Sequence, residues 1–130
     1  MEWETAGMGA VVLLVDDDVA FRGLAARILM SWGHEVVEAG TVAEALACAA
    51  ERRPDVAVVD VGLPDGDGFV LTRELVAAPL ALCVVVISTD SAAGNASAAR
   101  RAGALGFVPK DQLLTGDLRW LIAGRDGPRP

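Results

Sequence analysis

The sequence predicts an α/β fold, a five-stranded parallel sheet doubly wound with helices on both faces. Three observations carry that prediction. Short apolar runs alternate with helical patterns five times along 130 residues, and repeated βα order implies right-handed crossovers with helices on both sides of one sheet. The run Val11-Val12-Leu13-Leu14-Val15 is continuously apolar, as in a strand buried on both faces. Polar residues then appear where such runs end, and in doubly wound sheets ligands bind beyond the carboxyl ends of the strands.

Val11–Val15 is the first strand. Val19–Trp32 carries Phe21, Leu24, Ala25, Ile28, Leu29 and Trp32 at helical spacing, and Gly33 ends it. Glu35–Glu38 is a short second strand. Thr41-Val42-Ala43-Glu44 is a capping box, in which a hydroxyl and a carboxylate satisfy free backbone N–H groups. It opens a helix over Val42–Arg52, and Pro54 stops it. Asp55–Asp60 is the third strand, Val61–Gly68 a loop rich in Gly, Pro and Asp, and Phe69–Ala78 a helix. Ala81–Ile87 is the fourth strand. Ser91–Ala102 is an Ala-rich helix with Gly94-Asn95 inside it, expected to be weakly held because it buries little apolar surface. Leu105–Val108 is the fifth strand. The last helix runs from Asp111 or Gln112 to about Ala123, with Leu113, Leu114, Leu118, Leu121 and Ile122 inward. The expected organisation is a flexible leader over 1–9, one domain over 10–124 and a flexible tail over 125–130.

Composition narrows the function. The chain is 53% hydrophobic, enough for a packed core, and has no stretch of about 20 uncharged apolar residues, so no membrane span is expected. The first residues hold two glutamates and no basic segment, which is not a signal peptide and points to the cytoplasm. A net charge of −7 with dispersed arginines argues against direct nucleic-acid binding. Cys48 and Cys83 lie far apart in apolar stretches without CxxC spacing, so they read as reduced core thiols and not as zinc ligands. His34 offers no Ser/His/Asp triad. Lys110 is the chain's only lysine, which makes its position informative.

The strand ends gather a specific set. Asp16-Asp17-Asp18 follow the first strand, Asp60 ends the third, Ser88 and Thr89 follow the fourth with Asp90 next, and Lys110 follows the fifth. A dinucleotide-type glycine fingerprint is absent after the first strand. Clustered carboxylates repel unless something positive lies between them. Carboxylate oxygens are hard ligands that suit Mg²⁺, and a carboxylate beside Mg²⁺ can attack phosphorus. A lysine ammonium and a hydroxyl then help neutralise the phosphoryl oxygens. Each residue alone has an ordinary explanation: Asp18 as a helix cap, Asp60 as a strand end, Ser88 as a core hydroxyl, Lys110 as a solvated lysine. Their convergence on one sheet edge favours phosphoryl chemistry.

At these residues the chain resembles the receiver domain of two-component response regulators, which has a flavodoxin-like fold. The resemblance covers about residues 10–124 through VVLLVDDD at 11–18, DVAVVDVGLPDGDGF at 55–69, VVVIST at 84–89 and AGALGFVPK at 102–110. It implies that Asp60 is the phosphoacceptor, and that Asp16 and Asp17 hold Mg²⁺, Asp17 directly and Asp16 through water. It implies further that Gly62 lends a backbone carbonyl to the metal, that Ser88 and Lys110 contact the phosphoryl group, and that Phe107 is the aromatic switch residue. Leu63-Pro64-Asp65 with Gly68 matches the loop after the acceptor. Three departures stand out. Lys110-Asp111 replaces the Lys-Pro pair, as in receivers attached to helix-turn-helix regulators, so no cis bond is expected there. Phe107 lacks a tyrosine hydroxyl. The fourth helix lacks the charged pattern of one dimerising subgroup, so a homodimer would have to use another arrangement.

The expectation is a phosphorylation switch and not an enzyme acting on other substrates. Its partners would be a sensor histidine kinase or phosphotransfer protein upstream and a protein partner downstream. Output would pass through the surface of the fourth helix, fifth strand and fifth helix. The polar tail suggests a stand-alone receiver. Gly62 leaves the acceptor open to water while Thr89 shields it, giving a moderate phosphate lifetime. Two other readings stay open: a haloacid-dehalogenase-like phosphatase built on Asp16-x-Asp18, and a pseudo-receiver that binds without phosphate.

Overall fold

The structure is a computed structural model that describes residues 9–89, 93–112 and 116–123. The expected leader (save Gly9), the tail, Asp90, Ser91, Leu113 and Leu114 lie outside the described residues. Five strands form one parallel sheet: β1 Val11–Val15, β2 Glu35–Ala39, β3 Val56–Asp60, β4 Cys83–Ser88 and β5 Gly106–Pro109. Their spatial order is β2-β1-β3-β4-β5. The helices are α1 Val19–Ser31, α2 Val42–Arg52, α3 Gly68–Val76, α4 Ala93–Arg101 and α5 Gly116–Ala123. After β1 the chain steps outward to β2, then returns past β1 to β3 and continues the other way. The switch point therefore lies between β1 and β3, where such sheets leave a crevice.

Side-chain alternation along the strands separates two cores. Val12, Leu14, Val56, Val58, Val85 and Ile87 face α1 and α5, meeting Ala25, Ala26, Leu29, Leu118 and Ile122. Leu13, Val15, Ala57, Val59, Val84 and Val86 face the other way, onto Ala45 and Ala49 of α2, Leu71 and Leu75 of α3 and Ala99 of α4. Burying each Val or Leu side chain contributes about 1.5–3 kcal/mol, which is why the central strands are apolar on both faces. Among the described residues no helix is long and apolar enough to cross a membrane.

Several boundaries differ from the sequence reading for local reasons. α3 stops at Val76, two residues early, because Pro79 disfavours helical backbone at Ala78 before it. The Ala78–Pro79 bond is cis. β4 begins at Cys83 because Ala81 has φ +52°, a left-handed conformation that no strand accommodates. Residues Lys110–Gln112 form a 3₁₀ turn, so Asp111 and Gln112 precede α5 as a separate element. The loop after β3 contains a small antiparallel ribbon pairing Gly62 with Asp67 and Leu63 with Gly66. In the capping box, Thr41 Oγ1 accepts from Glu44 N at 3.0 Å as expected, but the Glu44 carboxylate reaches one residue further back, to Gly40 N at 2.7 Å.

Candidate functional site

The parallel register carries the polar residues to one edge. Asp16 N extends the ladder beyond β1 by donating to Ala39 O at 3.0 Å. Asp60 ends β3 opposite Ile87, and Ser88 ends β4 opposite Pro109, directly before Lys110. Asp16, Asp60 and Ser88 are buried, which marks them as deliberate, because buried polar side chains need partners. Asp17 is exposed at the rim. One carboxylate oxygen from each of Asp16, Asp17 and Asp60 lies within 4.8 Å of the others.

Lys110 answers the charge that this clustering creates. Its Nζ lies 2.7 Å from Asp16 Oδ2 and 3.3 Å from Asp60 Oδ1. Burial, then the neighbouring Asp16 charge, raise the Asp60 carboxyl above its usual range, with a smaller push from Asp17, and Lys110 opposes them. For Lys110 itself burial acts to lower the ammonium's value, but Asp16 and Asp60 outweigh it and the net shift is upward. Asp16 Oδ2 is fully buried. The Lys110 ammonium 2.7 Å away is its close partner, a charge-assisted contact. Three converging carboxylates, with oxygens within 4.8 Å of one another, fit a hard divalent cation such as Mg²⁺. Where the carboxylates of Asp16, Asp17 and Asp60 stand, they are the residues able to hold it.

Supporting contacts fix the acid loop. Asp18 caps α1, accepting from Phe21 N at 3.1 Å, while its own N–H donates to Asp16 Oδ1 at 2.9 Å. Arg22 Nη1 donates to Asp16 O at 2.7 Å and Arg22 Nε to Glu38 at 2.9 Å. Across the crevice Asp65 accepts from Val42 N at 2.7 Å and Ala43 N at 3.1 Å. That pins the loop after β3 to the start of α2. The bond to Val42 N holds the Asp65 carboxyl below its usual range. Gly68 N donates to Val61 O at 2.7 Å, and a Cβ at Gly68 would fall 2.1 Å from Asp60 O, so only glycine lets α3 begin there.

The remaining expected residues are placed as follows. Gly62 is exposed and a Cβ there would meet nothing within 4 Å, so the space beside it is open. Thr89 is exposed at the end of β4. Phe107 is half-buried in β5 against the second core and lines a groove of about 290 Å³ with Ala96, Arg100, Gly106, Trp120 and Leu121. Of the two cysteines, Cys48 packs in one core and Cys83 in the other, and no disulfide joins them. His34 Nδ1 accepts from Ala10 N at 3.0 Å, a structural role. Sequence reading assigned no site role to Phe21, Arg22 or the cap formed by Asp65. Phe21 carries the period of a core stripe, Arg22 reaches the carbonyl of Asp16 outside its own helix, and Asp65 acts on backbone groups more than twenty positions away, so none follows a local pattern.

Comparison with known proteins agrees with this geometry. The profile of the response regulator receiver domain matches residues 12–118. The chain is 46% identical over 103 residues to the DNA-binding transcriptional activator DevR/DosR of Mycobacterium tuberculosis, covering 77% of this chain and 47% of that protein. It is 39% identical over 99 residues to the KDP operon transcriptional regulatory protein KdpE of Escherichia coli, covering 76% and 44%. The chain thus spans about half the length of these curated relatives. The crystal structure of a LuxR-family two-component response regulator from Aurantimonas superposes with a TM-score of 0.79 at 29% identity, covering 94% of this chain and 91% of that one. With its sheet order, its acid cluster and these matches together, the chain belongs to the receiver domain family of two-component response regulators.

Proposed function

We propose that this chain is a phosphorylation-dependent switch that accepts a phosphoryl group on Asp60 from phosphohistidine of a cytoplasmic histidine kinase or phosphotransfer protein. The observation that carries the reading is the Lys110 ammonium held between Asp16 and Asp60 on an edge where three carboxylates converge. An Asp60 carboxylate oxygen attacks phosphorus in line. The O–P bond forms as the P–N bond breaks, and the electron pair returns to the imidazole nitrogen, which takes up a proton. Asp16, Asp17, Asp60 and the Gly62 carbonyl would hold Mg²⁺, which would supply charge neutralisation of the transferring group. Lys110 and Ser88 sit on the neighbouring strand ends, where they can meet phosphoryl oxygens. Buried surroundings make such charge pairing stronger than it would be in water.

The output follows from what lies beyond Ser88. Drawing Ser88 toward the phosphoryl group frees space for the half-buried Phe107 ring to turn inward, and the groove between α4 and α5 changes shape. A local charge event then biases a two-state surface that a downstream protein reads. Gly62 leaves a path for water, so the phosphate lifetime is moderate.

The test is covalent phosphate uptake from acetyl phosphate with Mg²⁺. Wild type is expected to load one phosphoryl group and Asp60→Asn none. Loading that survives Asp60→Asn but disappears with Asp16→Asn would overturn the reading and favour phosphatase-type chemistry on β1. Absence of any NMR response to Mg²⁺ with beryllofluoride would favour the binding-only alternative.

A further inference from the structure

We propose that Phe21 is a positioning residue for the reaction: its ring is an uncharged anchor that keeps the Lys110 ammonium at the site when the charges around it change. Lys110 Nζ lies 4.6 Å from the Phe21 ring centroid, within the range of a cation–π contact. The ammonium therefore has three described partners, the carboxylates of Asp16 and Asp60 and this ring.

The ring is itself fixed by the acid loop. Phe21 N donates to Asp18, the third aspartate of the triplet, and the next residue, Arg22, donates to Asp16 O. The first turn of α1 is thus tied to the acid loop on both sides of Phe21, and the side chain packs partly against the first core. Lys110 needs such a wall. Its stem has four rotatable carbons, and it follows directly on β5.

The three partners respond differently to the reaction. Placing positive charge among Asp16, Asp17 and Asp60 weakens the pull of the two carboxylates on the ammonium. Phosphorylating Asp60 turns its carboxylate into a mixed anhydride and moves the negative charge out to the phosphoryl oxygens. The quadrupole of a benzene ring carries no net charge and is unaltered by either event. Phe21 therefore contributes most when the carboxylates contribute least, and it pre-positions the ammonium for the phosphoryl oxygens. Such pre-positioning accelerates a step that depends on orientation. The inference rests on the reading of Asp60 as phosphoacceptor.

Lys110 is the only lysine, so lysine labelled with ¹³C and ¹⁵N in the full chain gives a single side-chain spin system. Its ε-protons are expected to show an upfield ring-current shift that persists with Mg²⁺ and beryllofluoride, is lost in Phe21→Leu and is kept in Phe21→Tyr. A shift present in the resting protein but lost with Mg²⁺ and beryllofluoride would make the ring a resting contact only and overturn the proposal. Fluorinated phenylalanines at position 21 keep the shape and weaken the quadrupole. Across mono-, di- and trifluoro rings, phosphoryl uptake from acetyl phosphate at saturating Mg²⁺ is expected to fall stepwise, by about threefold to tenfold overall. Equal rates across the series, with loss only in Phe21→Leu, would show that the ring merely fills space and sink the proposal. Failure of the acceptor reading looks different, because wild type would take up no phosphate. In that case the proton shift alone decides whether Phe21 holds Lys110.

Discussion

The two halves of the sheet's carboxyl edge are built differently. On the β1–β3 side every helix start is pinned by a charged or hydroxyl side chain. Asp18 caps α1, Thr41 caps α2, Asp67 caps α3 and Asp65 reaches across to α2, while Arg22 ties the acid loop to Glu38. On the β4–β5 side α4 presents small residues to the sheet. Its buried contribution is Ala99, with Ala102 just beyond, and it borders the open groove beside Phe107. Alanine buries little area, so each contact contributes less than a Leu or Val would. The first half keeps carboxylates close at an electrostatic cost, which requires a rigid frame. The second, with few large buried side chains, can rearrange for little free energy.

Gly68→Ala is expected to have the largest effect, by breaking the pinned half. The clash is one of space and not of backbone angle, since the added Cβ meets Asp60 O at 2.1 Å and Val61 Cα at 2.8 Å. Either α3 or the end of β3 must shift. The expected loss of stability is about 3 kcal/mol, the upper end for overpacking. Mg²⁺ affinity is expected to fall by about tenfold or more, because the displaced residue carries a candidate ligand. Chemical denaturation and Mg²⁺ titration followed by Trp fluorescence measure both. Unchanged Mg²⁺ affinity in a folded variant would show that the pinning does not serve the site.

How far the sequence revealed this division depends on range. The strands were legible because buried parallel strands are continuous apolar runs, and their order placed Asp16, Asp60, Ser88 and Lys110 on one edge. Asp18 and Thr41 were legible as caps because a cap acts on residues two or three positions ahead. The Asp65 bonds to Val42 and Ala43 were not, because they span more than twenty positions. Neither was Phe21, whose spacing is that of a core residue and whose partner is reached only when β5 lies beside β4. The end of α3 near Pro79 and the start of β4 near Ala81 moved because backbone restrictions outweighed the apolar pattern there. That α4 buries little apolar surface could be read directly from its composition.

An intermediate effect sharpens the other half. Ala96 lines the groove, half-buried, beside Phe107, Trp120 and Leu121. Ala96→Leu adds apolar atoms where the groove has room, and it is expected to stabilise the protein by about 1 kcal/mol, less than full burial of the added carbons would give because the groove is open. Mg²⁺ affinity is expected to stay the same, while the beryllofluoride-induced change in Trp fluorescence shrinks as the filled groove resists rearrangement. A changed Mg²⁺ affinity would mean that the two halves are energetically one.

The smallest effect is a pH dependence confined to the pinned half. Hydrogen bonds from Val42 N and Ala43 N favour the ionised form of Asp65 and hold its carboxyl below the usual range. A depressed folded-state value means that the unfolded chain binds the proton first as pH falls. The stabilisation is therefore fully present above the ordinary carboxylate value of about 3.9 and is lost as pH drops through the lower folded value. Asp65→Asn removes the charge while keeping an amide oxygen as acceptor. Urea midpoints of wild type and variant should accordingly differ at neutral pH and converge in acid. The difference should also shrink with added salt, since Asp65 is exposed and open to screening. A gap that stays constant from neutral pH down to strong acid would show that the charge contributes nothing. The strap between the loop after β3 and α2 would then be held by shape alone, with Gly66 close to Val42.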